Sequence, residues 1–482
     1  MTAVGLLLAD ELRAGADRLR AANSAFARAH PGESARRQPV HTVYGGAHLF
    51  RSDSAAKLGA VALRTLDQYA PDFTEFARVI GLEGADRLPA NPRETAALGR
   101  RIEARGEPSR EGEPAVWLAY TVHGRVREKL RREPVEDFRI DFEDGYGHRS
   151  DAEEDGHAAS AAREVARGLA AGTLPPGIGV RVKPLTEELR ERSIRTLEVF
   201  VSTLSAETGG ALPPNFVVTL PKVTVPEQAG YFAEALELLE RRVGLDAGSL
   251  VFELMVETPQ IVLDGEGRCG LPAVAAAARG RVVAAHFGTY DYTAACNITA
   301  AHQRMHHPAC EFARQMMQVA FAGTGIWLSD GSTTVLPVPP HRAAQGVALT
   351  DRQEHENAEI VHRAWRLHFH DVRQSLERGF YQGWDLHPAQ LVTRYAAVFS
   401  FFLQGLEAAG ERLRNFVDRA AQATLVGEVF DDAATGQGLL NYFLRGINAG
   451  AITEAEVLAR TGLTLEEVRG RSFVKILRGR RS

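Results

Sequence analysis

Several carboxylates and cations in this 482-residue chain stand where strands would end, and that placement gives them chemical meaning. In 251–260 (VFELMVETPQ), Glu253, Met255 and Glu257 alternate with Phe252, Leu254 and Val256. A strand here therefore carries two carboxylates on one face. A buried carboxylate is costly unless a cation or a metal compensates it. In 138–145 (FRIDFEDG), Arg139, Asp141 and Glu143 share one face and Phe138, Ile140 and Phe142 the other, with Asp144 following. Asp141, Glu143 and Asp144 would repel one another without cations nearby. The stretch 178–183 (IGVRVK) supplies two, Arg181 and Lys183, and 216–222 ends in Lys222. His286 stands near the end of 281–287, Asp291 lies in the loop after it, and 384–387 (WDLH) offers Asp385 and His387.

Singly, each of these is more often half of a salt bridge. Gathered at strand ends, they describe a pocket of cations and carboxylates with room for a divalent metal. Glu257 and Asp291, from adjacent strands, would be hard oxygen ligands of the kind that hold Mg²⁺ with several waters, and Mn²⁺ suits the same set. A divalent ion that chelates an α-keto acid polarises its carbonyl. Arg181 can add charge-assisted hydrogen bonds to an oxyanion or carboxylate. That chemistry suits making or breaking a carbon–carbon bond through an enolate. The sequence shows no pyridoxal phosphate or flavin signature and no Gly-rich phosphate loop with Lys and Ser/Thr.

The elements that must position these groups follow from the pattern. Short apolar runs at 41–44, 138–142, 178–183, 216–222, 251–257, 281–287, 325–329 and 384–387 alternate with longer helical stretches. Alternation of this kind implies βαβ units and a parallel sheet, and eight units point to a (β/α)₈ barrel. A doubly wound sheet is the rival, but no GxGxxG opens any unit. Residues 1–37 read as an N-terminal helical segment, 38–400 as the barrel with an insertion near 85–136, and 401–482 as a helical extension, a lid or subunit interface. Within the insertion, 85–114 is rich in Arg, Glu, Pro and Gly and reads as an insertion or mobile loop. His302, His306 and His307 precede Pro308 and read as surface or helix-start residues.

Composition narrows the class. The formal charge of −5, from 56 basic and 61 acidic residues, makes no case for nucleic acid or an anionic membrane. Cys269, Cys296 and Cys310 show no CxxC spacing, so a reducing cytoplasm is expected. The first residues break at Asp10 without a basic start and read as an amphipathic helix rather than a signal peptide. No run reaches the length of a membrane span.

On these residues the chain resembles the HpcH/HpaI aldolase and citrate lyase β-subunit family, of the malate synthase superfamily. DFEDG at 141–145, VRVK at 180–183, LPKV at 220–223, VETP at 256–259, GTYD at 288–291 and GFYQGWDLHPAQ at 379–390 are similar to its motifs, in its order. The resemblance implies Mg²⁺ on Glu257 and Asp291, Arg181 on the carbonyl or enolate oxygen, and Glu143 and Asp144 orienting that arginine or a metal-bound water. Lys183, Lys222 and Gly288 join Arg181 as the implied substrate-binding set, although relatives carry Asn where Lys183 stands. Relatives are often homotrimers or hexamers closed by a C-terminal segment, whose Asp acts as base in several. Asp432 or Asp431 fills that place here, against the competing reading of a helix N-cap.

The function implied is a Mg²⁺-dependent carbon–carbon lyase that cleaves a hydroxy acid or its acyl-CoA thioester through a metal-stabilised enolate. A malate-synthase-like Claisen condensation and an inactive barrel serving as a binding or regulatory subunit are the alternatives.

Overall fold

The computed structural model describes residues 12–34, 36–106, 108–343, 347–418, 424–426, 429–431, 433–470 and 476. Eight strands close into one parallel barrel: β1 (His41–Gly46), β2 (Asp137–Asp141), β3 (Gly177–Arg181), β4 (Phe216–Leu220), β5 (Val251–Val256), β6 (Val282–Phe287), β7 (Trp327–Ser332) and β8 (Gln382–Asp385). Each strand is hydrogen-bonded to its chain neighbours, and β8 returns to β1. This is the (β/α)₈ architecture that the alternating pattern predicts.

The helices are α1 (Arg13–Ala29), α2 (Ser54–Tyr69), α3 (Phe73–Ile80), α4 (Pro92–Arg105), α5 (Pro114–Arg132), α6 (Asp151–Ala171), α7 (Arg190–Thr208), α8 (Pro226–Val243) and α9 (Pro259–Val262). They continue as α10 (Leu271–Ala277), α11 (Thr289–Ala295), α12 (Pro308–Phe321), α13 (Asp351–Glu377), α14 (Gln390–Asp418), α15 (Ala433–Asn448), α16 (Glu454–Thr461) and α17 (Leu465–Arg469). A small antiparallel pair, β9 (Thr424–Val426) and β10 (Val429–Asp431), lies between α14 and α15.

Strand alternation sorts the side chains as the sequence implies. Phe138, Ile140 and Phe142 are buried in the apolar layer, with the Phe138 ring 5.3 Å from that of Phe50. Each such Phe contributes roughly 2 kcal/mol through burial. On the opposite face, Arg139 crosses the barrel interior and binds both oxygens of Glu253, at 2.9 and 2.8 Å. Thr219 and His286 also face Glu253, and Asp137 takes the remaining Arg139 contact. Backbones come close at β3, where a side chain on Gly179 would lie 1.7 Å from the Val217 carbonyl oxygen. Only Gly is accommodated there.

The mobile-loop alternative for 85–114 is corrected by a helix within it. Residues 92–105 form α4, capped by Asn91 with Pro92 in its first turn. Pro counted toward the loop reading, yet Pro92 at N1 behind Asn91 as N-cap starts a helix. Helix α5 then makes the crossover to β2, burying Leu118, Val122, Val126 and Leu130. The last barrel helix, α14, runs through residue 400 without interruption. His307 caps α12 through its Nδ1, which accepts from Ala309 N–H, while His306 pairs with Asp371 at 2.7 Å. Among the described residues, no helix is long and apolar enough to cross a membrane, and the three cysteines are unpaired.

Candidate active site at the C-terminal mouth of the barrel

Parallel barrels expose their strand-end residues at one rim, and here that rim gathers five carboxylates around two cations. Register starts the assembly, because Asp141 of β2 lies beside Arg181 of β3. Asp141 accepts from Arg181 Nε at 2.7 Å and from a terminal guanidinium nitrogen at 2.6 Å. It also accepts from the Glu143 and Gly145 backbone N–H groups, which folds the acidic loop back over the strand end. The remaining terminal nitrogen of Arg181 lies 2.9 Å from Glu143 Oε2 and 3.9 Å from Asp144. The guanidinium stands over the Tyr44 ring at 4.7 Å and the Trp384 ring at 5.6 Å. Burial works against its charge, but Asp141 and Glu143 raise its pKa and keep it protonated.

Lys222 leaves β4 with φ of 50°, a left-handed conformation that costs a non-glycine residue about 1 kcal/mol or more. The turn serves two contacts. Its backbone N–H donates to Glu257 Oε1 at 2.7 Å, and its ammonium reaches Glu143 at 2.5 Å, with Asp144 and Asp291 at 3.5 Å. Burial opposes the charge on Lys222, yet Glu143 and Glu257 raise its pKa.

Glu257 is 2% exposed. Burial, with Glu143 and Asp291 beside it, pushes its pKa up to about 8 despite Lys222. Glu143 is raised as well, chiefly by burial. Gly288 makes the room for this carboxylate, since a side chain at that position would meet Glu257 Oε2 at 2.4 Å. Asp291 follows in the first turn of α11 and is half-exposed.

Not every strand-end group comes to this place. Lys183 turns to Glu154 at 2.6 Å and to the Phe142 carbonyl at 2.7 Å. Asp385 points outward to Arg394, His368 and His41. His387 accepts from Ala389 N–H in the loop after β8, and His286 lies inside the barrel beside Glu253. Asp432 lies outside the described residues, and Asp431 ends β10. Two mouth residues that the sequence reading did not single out are Tyr44 and Trp384, and Asp141 was read as one of three clustered acids without a role of its own. For Asp141 the signal was present, since it shares a face with Arg139 and Glu143.

The fit to a divalent metal can be tested on the donors. Asp141, Glu143, Asp144, Glu257 and Asp291 against Arg181 and Lys222 give five minus two, a formal excess of three negative charges. Hard oxygens and a buried carboxylate held partly protonated are what a divalent cation would relieve. Among the described residues, no three His, Cys, Asp or Glu side chains form a metal-holding group. What the mouth does offer is a pair of neighbouring hard carboxylate donors, Glu257 and Asp291, a set compatible with a divalent ion that keeps several waters.

A closed parallel barrel with an acidic mouth around a buried arginine defines the class of protein. The chain belongs to the family described as a domain of unknown function, DUF6986, whose model matches residues 19–476. No curated protein matches the chain. A citrate lyase from Burkholderia xenovorans LB400 is 19% identical over 70% of this chain and 91% of its own, with a TM-score of 0.50, a likeness of fold. Looser similarity extends to the Haloferax volcanii malate synthase in its magnesium and glyoxylate complex, at 14% identity over 91% and 99% of the two chains (TM-score 0.43). It extends also to CitE from Mycobacterium tuberculosis with magnesium, acetoacetate and coenzyme A, at 15% identity over 71% and 96% (TM-score 0.40).

Proposed function

We propose that the protein is a divalent-metal-dependent carbon–carbon lyase acting on a hydroxy acid or its acyl-CoA thioester. The observation that carries the proposal is the convergence of Glu257, Asp291, Arg181 and Glu143 about Lys222 at the barrel mouth. Glu257 and Asp291 would hold Mg²⁺ or Mn²⁺, which when bound would polarise a substrate carbonyl.

The residues of the chain supply the rest. A base takes the proton of the substrate hydroxyl, and the O–H electron pair becomes the new carbonyl π bond. The adjacent carbon–carbon bond breaks, and its electron pair passes into an enolate conjugated with the carboxylate or thioester. Arg181, pinned by Asp141 and backed by two aromatic rings, is preorganised to stabilise the enolate oxygen. Glu143 and Asp144 orient Arg181, and Lys222 offers charge to a substrate carboxylate. Gly288 leaves space beside Glu257. Protonation of the enolate completes the reaction, and the same groups serve the reverse condensation.

Asp432, with Asp431 beside it, is proposed as the base, and Lys183 as a support for the loop rather than a contact of the substrate. The proposal extends to a cytoplasmic homo-oligomer, supported by helix α1, which buries none of its residues and exposes Leu19 and Phe26, with Leu12 exposed just ahead of it.

The test is incubation with Mg²⁺ and a panel of hydroxy acids and 3-hydroxyacyl-CoA thioesters, detecting released keto acid or CoA product. Turnover that needs the metal and disappears in Glu257→Ala, Asp291→Ala and Arg181→Ala is the expected result. Metal-independent turnover, or turnover that survives Arg181→Ala, overturns the assignment.

A further inference from the structure

A second set of cations lies on the rim beside the mouth, built from the β1–α2 loop, the β2–α6 loop and helix α6. Its centre is Tyr146, which is 2% exposed. The His48 and His157 rings each stand 5.6 Å from the Tyr146 ring, with His157 Nδ1 2.7 Å from the Tyr146 hydroxyl. The Arg149 guanidinium lies 5.4 Å from the same ring and the Lys183 ammonium 5.1 Å.

Among these basic groups, Lys183 is the one drawn into a salt bridge. Glu154 holds Lys183, whereas His48 Nδ1 and Arg149 Nε are buried without a hydrogen-bond partner. Elsewhere in the barrel, buried guanidinium groups are matched to acids: Arg139 to Glu253, Arg281 to Glu240, Arg314 to Asp330 and Arg394 to Asp385. Glu153, on the adjoining first turn of α6, is engaged as a cap, accepting from Ser150 N–H at 3.0 Å and its hydroxyl at 2.8 Å. Burial, Arg149 and His157 together lower the pKa of His48, and the Glu153 carboxylate lies within electrostatic reach of Arg149 and His157.

The cluster is joined to the mouth by short links. Ala47 N–H donates to the carbonyl of Asp141, the residue that pins Arg181. Tyr146 N–H donates to the carbonyl of Glu143, so one loop carries Glu143 into the mouth and Arg149 onto the rim.

The geometry points to an oxyanion-binding subsite formed by His48, Arg149 and His157, which takes a second anionic group, a carboxylate or a phosphate, of the substrate bound at the mouth. The inference rests on the lyase reading for the substrate, but the binding of an anion does not depend on it. An elongated dianion would then be preferred over a monoanion, because each end meets a cation fixed by the fold.

The experiment uses the full chain without added metal and follows the His48 and His157 imidazole signals by NMR during titration with inorganic phosphate, succinate or butyrate. Phosphate or succinate should move both imidazoles at lower concentration than butyrate does. Arg149→Met and His48→Gln should each weaken that binding by roughly tenfold, the worth of one charge-assisted hydrogen bond. Stronger response to succinate identifies a carboxylate as the natural group, and stronger response to phosphate identifies a phosphate. Unmoved imidazoles, or equal binding by Arg149→Met and the parent protein, overturn the subsite. Since neither metal nor turnover is required, that failure is distinct from failure of the lyase proposal.

Discussion

Glu253 lies within β5 and Glu257 directly follows its last residue, yet the barrel treats the two in opposite ways. Glu253, in the closed interior, faces a guanidinium that binds both its oxygens, together with Thr219 and His286. Burial opposes its charge, but Arg139 and His286 hold its pKa far below the usual carboxylate range. Glu257, at the mouth, has one backbone N–H from Lys222 and two carboxylates for company, Glu143 and Asp291. Both are buried. Burial alone therefore does not decide whether a carboxylate stays charged; the supply of partners does.

The contrast can be broken most severely at the interior. Arg139→Met leaves Glu253 and Asp137 buried without their cation, and removal of one partner of such a pair costs roughly 3–5 kcal/mol. Denaturant unfolding should show that loss, with much of it recovered in Arg139→Met/Glu253→Met. A loss under about 1 kcal/mol would mean that the interior network is not what stabilises Glu253.

At the mouth the corresponding change falls on activity. Arg181→Lys keeps a charge but loses the planar fork that Asp141 and Glu143 grip. Turnover should fall by about 10²–10³-fold, as when one oxyanion donor is removed, with the thermal midpoint little changed. Turnover within a factor of two of the parent would reduce Arg181 to a structural residue.

The pH response separates the two carboxylates next. Glu257 has a folded pKa of about 8, above the ordinary carboxylate value, so the folded state binds more protons than the unfolded state between those limits. Its favourable contribution is complete below the unfolded pKa and is lost as pH rises toward 8. In metal-free protein, Glu257→Gln should match the parent near pH 4.5 and exceed it by roughly 4 kcal/mol at pH 8. Denaturant midpoints across that range give the answer, and a constant gap removes the assignment. The smallest effect belongs to Asp144, whose side chain is 60% exposed. Asp144→Asn should shift stability by no more than about 0.5 kcal/mol.

How much of this was legible beforehand varies by residue. The eight strands were, because each pairs an apolar run with a helical segment. So was the division of Phe138, Ile140 and Phe142 from Arg139 and Asp141, since side-chain alternation is a local property. Asp385 and His387 read as mouth residues, but β8 turns Gln382 and Trp384 inward and Asp385 outward to Arg394 and His368. A period of two says which residues share a face and leaves open which face is inside. Lys183 followed the alternation of Arg181, yet β3 ends at Arg181 and the chain leaves the pleat before Lys183.

By itself, the sequence determined the barrel, the polar inner faces and the identity of most groups at the mouth, because these follow from period, composition and strand length. Only the tertiary structure decided that Arg139 belongs to Glu253 and that Lys222 turns left-handed to reach Glu143. It also set Glu257 beside Glu143 and Asp291, with Lys222 as the opposing charge. Those outcomes depend on pairings across 114, 79 and 35 residues of chain separation, which no local pattern encodes. They arise when the barrel closes and the dielectric around each charge falls, and each group then ionises or not according to the neighbours it has met.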